Sequence, residues 1–198
     1  MEREILYNIL MNDNIVESIC ANLDNIIKLI PEIKDMIGFE HNHPHHHLDV
    51  WEHTLLALSI SPKDFEIRLV LLLHDIGKPH SYQDEKVRHF RGHPKVSSEI
   101  AYKILKRLNF NNEEVHMLCD LIEQHDDLIT NKEITENKEF AIKKFKIQCC
   151  DGLAHNPLKL EKRVAYLLKI NQKLNDENEQ EKCKKLILDN CNNKISNI

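Results

Sequence analysis

The stretch SPKDFEIRLVLLLHDIGKP, residues 61–79, decides the fold class. Within it Leu69, Val70, Leu71, Leu72 and Leu73 run without a break and then meet His74 and Asp75. A segment apolar almost all round predicts a buried central helix. Ser61-Pro62 is expected to open that helix, with Pro at the first helical position, and the helix is expected to carry through His74-Asp75. An imidazole and a carboxylate side by side at the end of such a helix are costly to bury without a partner. A divalent metal is the natural partner, because it uses nitrogen and oxygen ligands together. Asp75, with two oxygens, can also bridge two metals.

Outward from this stretch, the flanking segments read as helices. Asp49 can cap one through VWEHTLLALSI, on which His53 shares the apolar face of Val50, Leu56, Ala57 and Ile60. FAIKKFKIQCCDGLAH forms another and carries Asp151 near its end. Four ligands (His53, His74, Asp75 and Asp151) from three helices match the way helical bundles build metal sites. His93 opens a helix through HPKVSSEIAYKILKRLNF, with Val96, Ile100, Ile104 and Leu108 every fourth residue. Asn111-Asn112 cap EEVHMLCDLIEQHD, which ends at His125. Residues 2–37 predict two or three short helices, with Pro31 opening a turn and Gly38 stopping the last. LITNKEITENKE reads as a polar turn, and LEKRVAYLLKINQKL and a weaker EQEKCKKLILDNC close the chain. Residues 78–92 read as a long loop of the kind that is often functional. VRHF is the one candidate hairpin arm. The expectation is one all-α domain over residues 1–198, without repeats or linkers.

The bulk numbers agree. Only 4 Gly and 6 Pro leave little material for many short strands. A hydrophobic fraction of 41% with 30% charged residues describes an ordinary folded protein. The formal net charge of -5 gives no support to general polyanion binding. None of the 6 Cys falls in a C-x-x-C pair, so a structural zinc site is not expected. MEREILYNIL is not expected to act as a signal peptide, and no stretch approaches the ~18 apolar residues of a membrane span. The expected compartment is cytoplasmic, with reduced thiols. The unusual number is 13 His, and histidine is the commonest metal ligand.

The ordered set His53, His74-Asp75 and Asp151 resembles the H…HD…D signature of the HD superfamily of metal-dependent phosphohydrolases. The strings HPHHHLDVWEHTLLAL, LLLHDIGKP, HFRGHPKVSSEIAYKILKRLNF, LIEQHD and CCDGLAHNP are similar to the HD portion of bacterial CCA-adding tRNA nucleotidyltransferases. The resemblance runs from about Gly38 to about Leu174, leaving N-terminal helices over residues 1–37 and a C-terminal helical extension over 175–198. Those enzymes also carry a head with a GG motif. This sequence has no GG, so a stand-alone HD module is expected and CCA addition is not inherited.

The resemblance implies an HD-like helical bundle around one or two divalent ions (iron, manganese, nickel, cobalt or zinc). His93 and His125 are candidates for the second position with Asp75 as bridge, or else contact substrate phosphate. Lys78 could neutralise a phosphoryl oxygen, or be a solvated loop lysine. Arg91, His89 and His46 are weaker substrate-binding candidates. The His45-His46-His47 run could wall the pocket or lie free on the surface. His155 shares a helical face with Asp151, whereas His41, His43, His80 and His116 receive no role. In the implied chemistry, metal-bound water attacks phosphorus of a phosphomonoester or phosphodiester on a nucleotide or RNA end, such as a 2′,3′-cyclic phosphate. The alternatives are a dinucleoside-polyphosphate or deoxynucleotide hydrolase, and a non-catalytic metal- or nucleotide-binding regulatory module.

Overall fold

The computed structural model describes residues 2–44, 46–84, 86–174 and 176–195, with side chains up to residue 190, and His45 lies outside them. Among these residues the regular structure is helical and no strand forms. In chain order the helices are α1 (Glu2–Leu10), α2 (Ile15–Ala21), α3 (Leu23–Leu29), α4 (Val50–Ile60), α5 (Phe65–Leu73), α6 (His93–Arg107), α7 (Asn112–Glu123), α8 (Asn131–Glu136), α9 (Lys138–Leu153), α10 (Leu160–Asn171) and α11 (Glu177–Ile195). Tight 3-10 turns at Pro31–Asp35, Lys78–His80 and Pro157–Lys159 join some of them. The candidate hairpin arm VRHF makes a single bridge, His89 to Gln83. No helix among the described residues is long and apolar enough to cross a membrane.

Capping chemistry sets the helix starts. Asp49 Oδ1 accepts from the Glu52 N–H at 2.7 Å, and Glu52 Oε2 accepts from the Asp49 N–H at 3.2 Å. This reciprocal box starts α4 one residue after Asp49. Asn111 and Glu114 start α7 the same way. The central helix α5 corrects the expectation at Ser61-Pro62. Its cap is Asp64, whose Oδ1 accepts from the Ile67 N–H at 3.1 Å, while Pro62 lies in the turn before it. A side-chain cap satisfies an orphan N–H, whereas proline only tolerates the position. The supposed polar turn at residues 128–139 contains α8, with a Thr130–Glu133 capping box. Lys144 Nζ, itself buried, pairs with Glu133 at 2.7 Å and ties α8 to α9.

One buried core runs from Leu6 to Ile187. Leu69 to Leu73 of α5 are all fully buried, as the all-round apolar run requires. Helix α9 packs against α4, α5, α7, α8, α10 and α11. Helix α11 contributes Cys183 and Ile187 to the core. The buried face of α6 runs through Ser97, Ala101 and Ile104 and on to Leu108 just past its end, whereas Val96 and Ile100 of the expected stripe are only half-buried. Small serines there let the helix lie close to the turn that follows α5.

That turn positions the site. Helix α5 stops at Leu73, so His74 and Asp75 stand just beyond its end in a tight turn, with the Ile76 N–H on Leu73 O at 3.2 Å. Gly77 then presses against the start of α6. A Cβ added at Gly77 would lie 2.5 Å from Ser97 N and 2.9 Å from His93 O. Its φ of -84° is open to any residue, so glycine is present for space.

Candidate metal centre

Asp75 lies where the end of α5, the start of α6 and the end of α7 converge, and its two oxygens face different neighbours. Oδ2 lies 3.3 Å from His74 Nε2 and 3.7 Å from His53 Nε2. Asp151 closes that side, with Oδ1 at 2.8 Å from His53 Nε2 and 3.7 Å from His74 Nε2. Oδ1 of Asp75 lies 3.1 Å from His93 Nε2 and 3.9 Å from His125 Nε2. All six side chains are buried.

The imidazoles share one arrangement. Each Nδ1 faces a backbone carbonyl: His53 on Ala154 O at 3.4 Å, His74 on Leu71 O at 2.7 Å, His93 on Phe90 O at 3.0 Å and His125 on Ile122 O at 2.7 Å. A carbonyl only accepts, so at the three short contacts Nδ1 of His74, His93 and His125 carries the proton and Nε2 presents a lone pair, whereas His53, with Nε2 only 2.8 Å from Asp151 Oδ1, also suits the tautomer that donates to that carboxylate. Those lone pairs point at carboxylate oxygens and, for His93 and His125, at each other across 3.3 Å. Acceptor meets acceptor, and only a cation or an added proton relieves it. His74 Nε2 and both Asp75 oxygens are buried with no well-aligned hydrogen bond. Such groups fit a divalent cation, and two ligand groups result: His53, His74 and Asp75, and Asp75, His93 and His125.

The protonation preferences express the same excess of negative charge. Burial disfavours charge on His74, yet the carboxylates of Asp75 and Asp151 outweigh it and lift the pKa to about 10. Burial likewise opposes ionisation of Asp75, but His74 and Lys78 hold its carboxyl well below the usual range. A proton on His74 thus compensates where a metal cation would.

Lys78 is buried and is not a solvated loop lysine. Its Nζ lies 2.7 Å from Asp75 Oδ2 and 3.1 Å from His41 Nε2. His41 Nδ1 is committed to Leu48 O at 2.9 Å, so His41 accepts from the ammonium. Burial and the Lys78 charge push the His41 pKa down to about 2, so it stays neutral. His46 stacks on His41 with centroids 3.8 Å apart and planes 7° apart.

Asp75, Lys78, His93 and His125 open into a cleft of about 460 Å³. His46, His89, Arg91 and His155 line it too, so the substrate-side candidates come together with the metal-side ones. His80 instead pairs with Asp35 at 3.3 Å, and His47 and His116 are exposed.

Three residues of the site escaped sequence reasoning: His41, Gln148 and Arg163. Gln148 Nε2 donates to His125 O at 2.9 Å and to Asp127 O at 2.7 Å, pinning the turn that carries His125. It was visible as a polar break in the buried face of α9, seven residues after Ala141 and three after Phe145. Arg163 was equally visible, interrupting the stripe Leu160, Leu167, Ile170. His41 had no such signal, because it lies in a segment without helical period.

The helices thus bring together, around the divided Asp75, side chains that could hold a metal ion. The chain belongs to the HD domain family, whose model matches residues 45–170. It is 40% identical over 106 residues to the CC-adding tRNA nucleotidyltransferase of Thermus thermophilus, covering 50% of this chain and 24% of that protein. It is 34% identical over 104 residues to the A-adding tRNA nucleotidyltransferase of Deinococcus radiodurans, covering 48% of this chain and 24% of that protein. The match thus spans about a quarter of the length of these relatives.

Proposed function

We propose that this chain is a metal-dependent phosphohydrolase acting on a nucleotide or an RNA end, with a 2′,3′-cyclic phosphate as the leading substrate. The observation that carries the reading is the convergence of four Nε2 atoms on Asp75 and Asp151 at the floor of a cleft that also holds Lys78 and Arg91. In this reading His53, His74, Asp75 and Asp151 hold one divalent ion, and Asp75, His93 and His125 hold a second. Such ions lower the pKa of bound water and polarise a phosphoryl oxygen. The chain's own groups orient the ester. Lys78 forms an ion pair with Asp75 and donates one N–H to His41, which leaves N–H capacity for a phosphoryl oxygen. Arg91, His89 and His46 flank the same cleft and contact the rest of the phosphate. The RNA-end part of the reading draws on the two relatives, both named for tRNA nucleotidyl transfer.

A panel assay tests it. Manganese, iron, cobalt, nickel and zinc are each supplied with bis(p-nitrophenyl) phosphate, nucleoside 2′,3′-cyclic phosphates, nucleoside monophosphates, deoxynucleotides and dinucleoside polyphosphates. Turnover of the cyclic phosphates or monophosphates, lost in Asp75→Asn, is the expected result. Turnover confined to the polyphosphates or deoxynucleotides moves the substrate class, and no turnover with any metal overturns the enzyme reading.

A further inference from the structure

Beside the metal centre a second cavity of about 240 Å³ opens, sharing Asp126, Asp151 and Arg163 with the first. Tyr166, Leu128 and Leu167 form its apolar side. Leu128 is 71% exposed, which is unusual for a large aliphatic residue. Gln148, on the remaining wall, has both amide hydrogens committed to backbone carbonyls, so that wall is fixed.

Arg163 stands at the junction of the two cavities. Its aliphatic stem crosses α9 at Gly152, directly after Asp151. A Cβ added at Gly152 would sit 3.1 Å from Arg163 Cδ and 3.2 Å from Cγ, closer than packed side chains tolerate without yielding. The glycine therefore lets the arginine lie low beside the metal centre. Arg163 pairs with no carboxylate among the described residues, so its guanidinium is an open bidentate donor. It is also the one cation among the described residues lining the second cavity. The charge is therefore graded. A phosphorylated ligand has its anionic end drawn to Lys78, Arg91 and Arg163, while the carboxylates of Asp126 and Asp151 disfavour an anion deeper in the second cavity, whose apolar side suits an uncharged group.

We propose that this second cavity is a nucleobase subsite, in which Tyr166 offers a stacking face, Leu128 and Leu167 cover the base, and Arg163 bridges to the phosphate. The inference rests on the phosphohydrolase reading and narrows its substrates to those carrying a nucleoside next to the scissile phosphate. A tyrosine ring stacks on any base, so the subsite selects for a base over none and discriminates weakly between bases.

Calorimetry on the metal-loaded protein tests this with two non-hydrolysable probes, adenosine 5′-methylenephosphonate and methylphosphonate, which share a phosphonate head and differ in the nucleoside. The wild type is expected to prefer the nucleoside probe by about tenfold or more. Tyr166→Ala should erase that preference, and Tyr166→Phe should keep most of it, which separates stacking from a folding defect. Equal affinity in the wild type, or a preference that survives Tyr166→Ala, overturns the subsite. The two readings fail separately. If phosphate esters are hydrolysed but the preference is absent, the subsite is wrong and the hydrolase stands. If no ester is hydrolysed and the Tyr166-dependent preference is present, the hydrolase is wrong and the cleft is a nucleotide-binding site.

Discussion

At the scale of single residues, the centre depends on how four imidazoles are turned. Each sets its Nδ1 against a backbone carbonyl and turns its Nε2 inward, toward the oxygens of Asp75 and Asp151. Because Asp75 divides its oxygens between the two sides, its loss should act on both ligand sets. His125 contributes to only one. Protein purified without a His-tag and saturated with metal is therefore expected to carry about two ions per chain, His125→Ala about one, and Asp75→Asn close to none. Elemental analysis measures this. One ion in the wild type, still one in His125→Ala, and weaker phosphate binding by that variant would make His93 and His125 substrate ligands. The convergence of His53, His74, Asp75 and Asp151 was legible in the sequence because His53 and Asp151 sit at inward positions of periodic helices and His74-Asp75 ends an apolar run. The support around it was not. His41, which fixes Lys78, sits in the irregular segment FEHNHPHHH, where no period says which histidines turn inward.

Among the elements, boundaries followed local chemistry wherever a capping side chain competed with nothing else, as at Asp49 and Asn111. They failed where two signals competed, Pro62 against Asp64, and where a short helix depended on a long-range tie, as α8 does on Lys144. Gly77 is the element-scale feature with the clearest consequence. It lets the turn after α5 touch the start of α6, which is what brings His93 within 3.1 Å of Asp75. Its N–H also donates to Ser97 Oγ at 2.9 Å. Gly77→Ala inserts a methyl group where backbone atoms lie 2.5 and 2.9 Å away, so the two elements must separate. Overpacking of this kind costs about 1–3 kcal/mol. The expected outcome is a lower melting temperature together with loss of the His93–His125 ion, while the ion at His53, His74 and Asp151 remains. Unchanged metal content and unchanged stability in Gly77→Ala would show that the contact does not set the spacing of the two sides.

For the whole molecule, the centre exists only when the chain is folded. His53 and Asp151 are 98 residues apart in sequence and 2.8 Å apart in space, and the remaining groups come from the turn after α5, the start of α6 and the end of α7. A metal that binds this arrangement and not the unfolded chain stabilises the fold by mass action, by about 2.7 kcal/mol when its concentration is a hundredfold above its Kd. For a chain of this size that corresponds to roughly 5–10 °C in melting temperature. Chelation should lower the melting temperature of metal-loaded protein by that order, and the drop should depend on pH. Without metal, His74 takes up a proton, with its pKa raised to about 10 by Asp75 and Asp151 against the opposing effect of burial. A raised folded-state pKa stabilises fully below the unfolded value of about 6.5 and loses that contribution as pH rises toward 10. The metal-free protein therefore weakens between pH 6 and pH 9. Over the same interval protons compete less with the metal, so the loaded protein gains relative to it. The gap between the loaded and chelated melting temperatures is expected to widen from pH 6 to pH 9. Calorimetric melts with and without chelator at the two pH values measure it, and a chelator that shifts neither melt would mean that no metal is held by these residues.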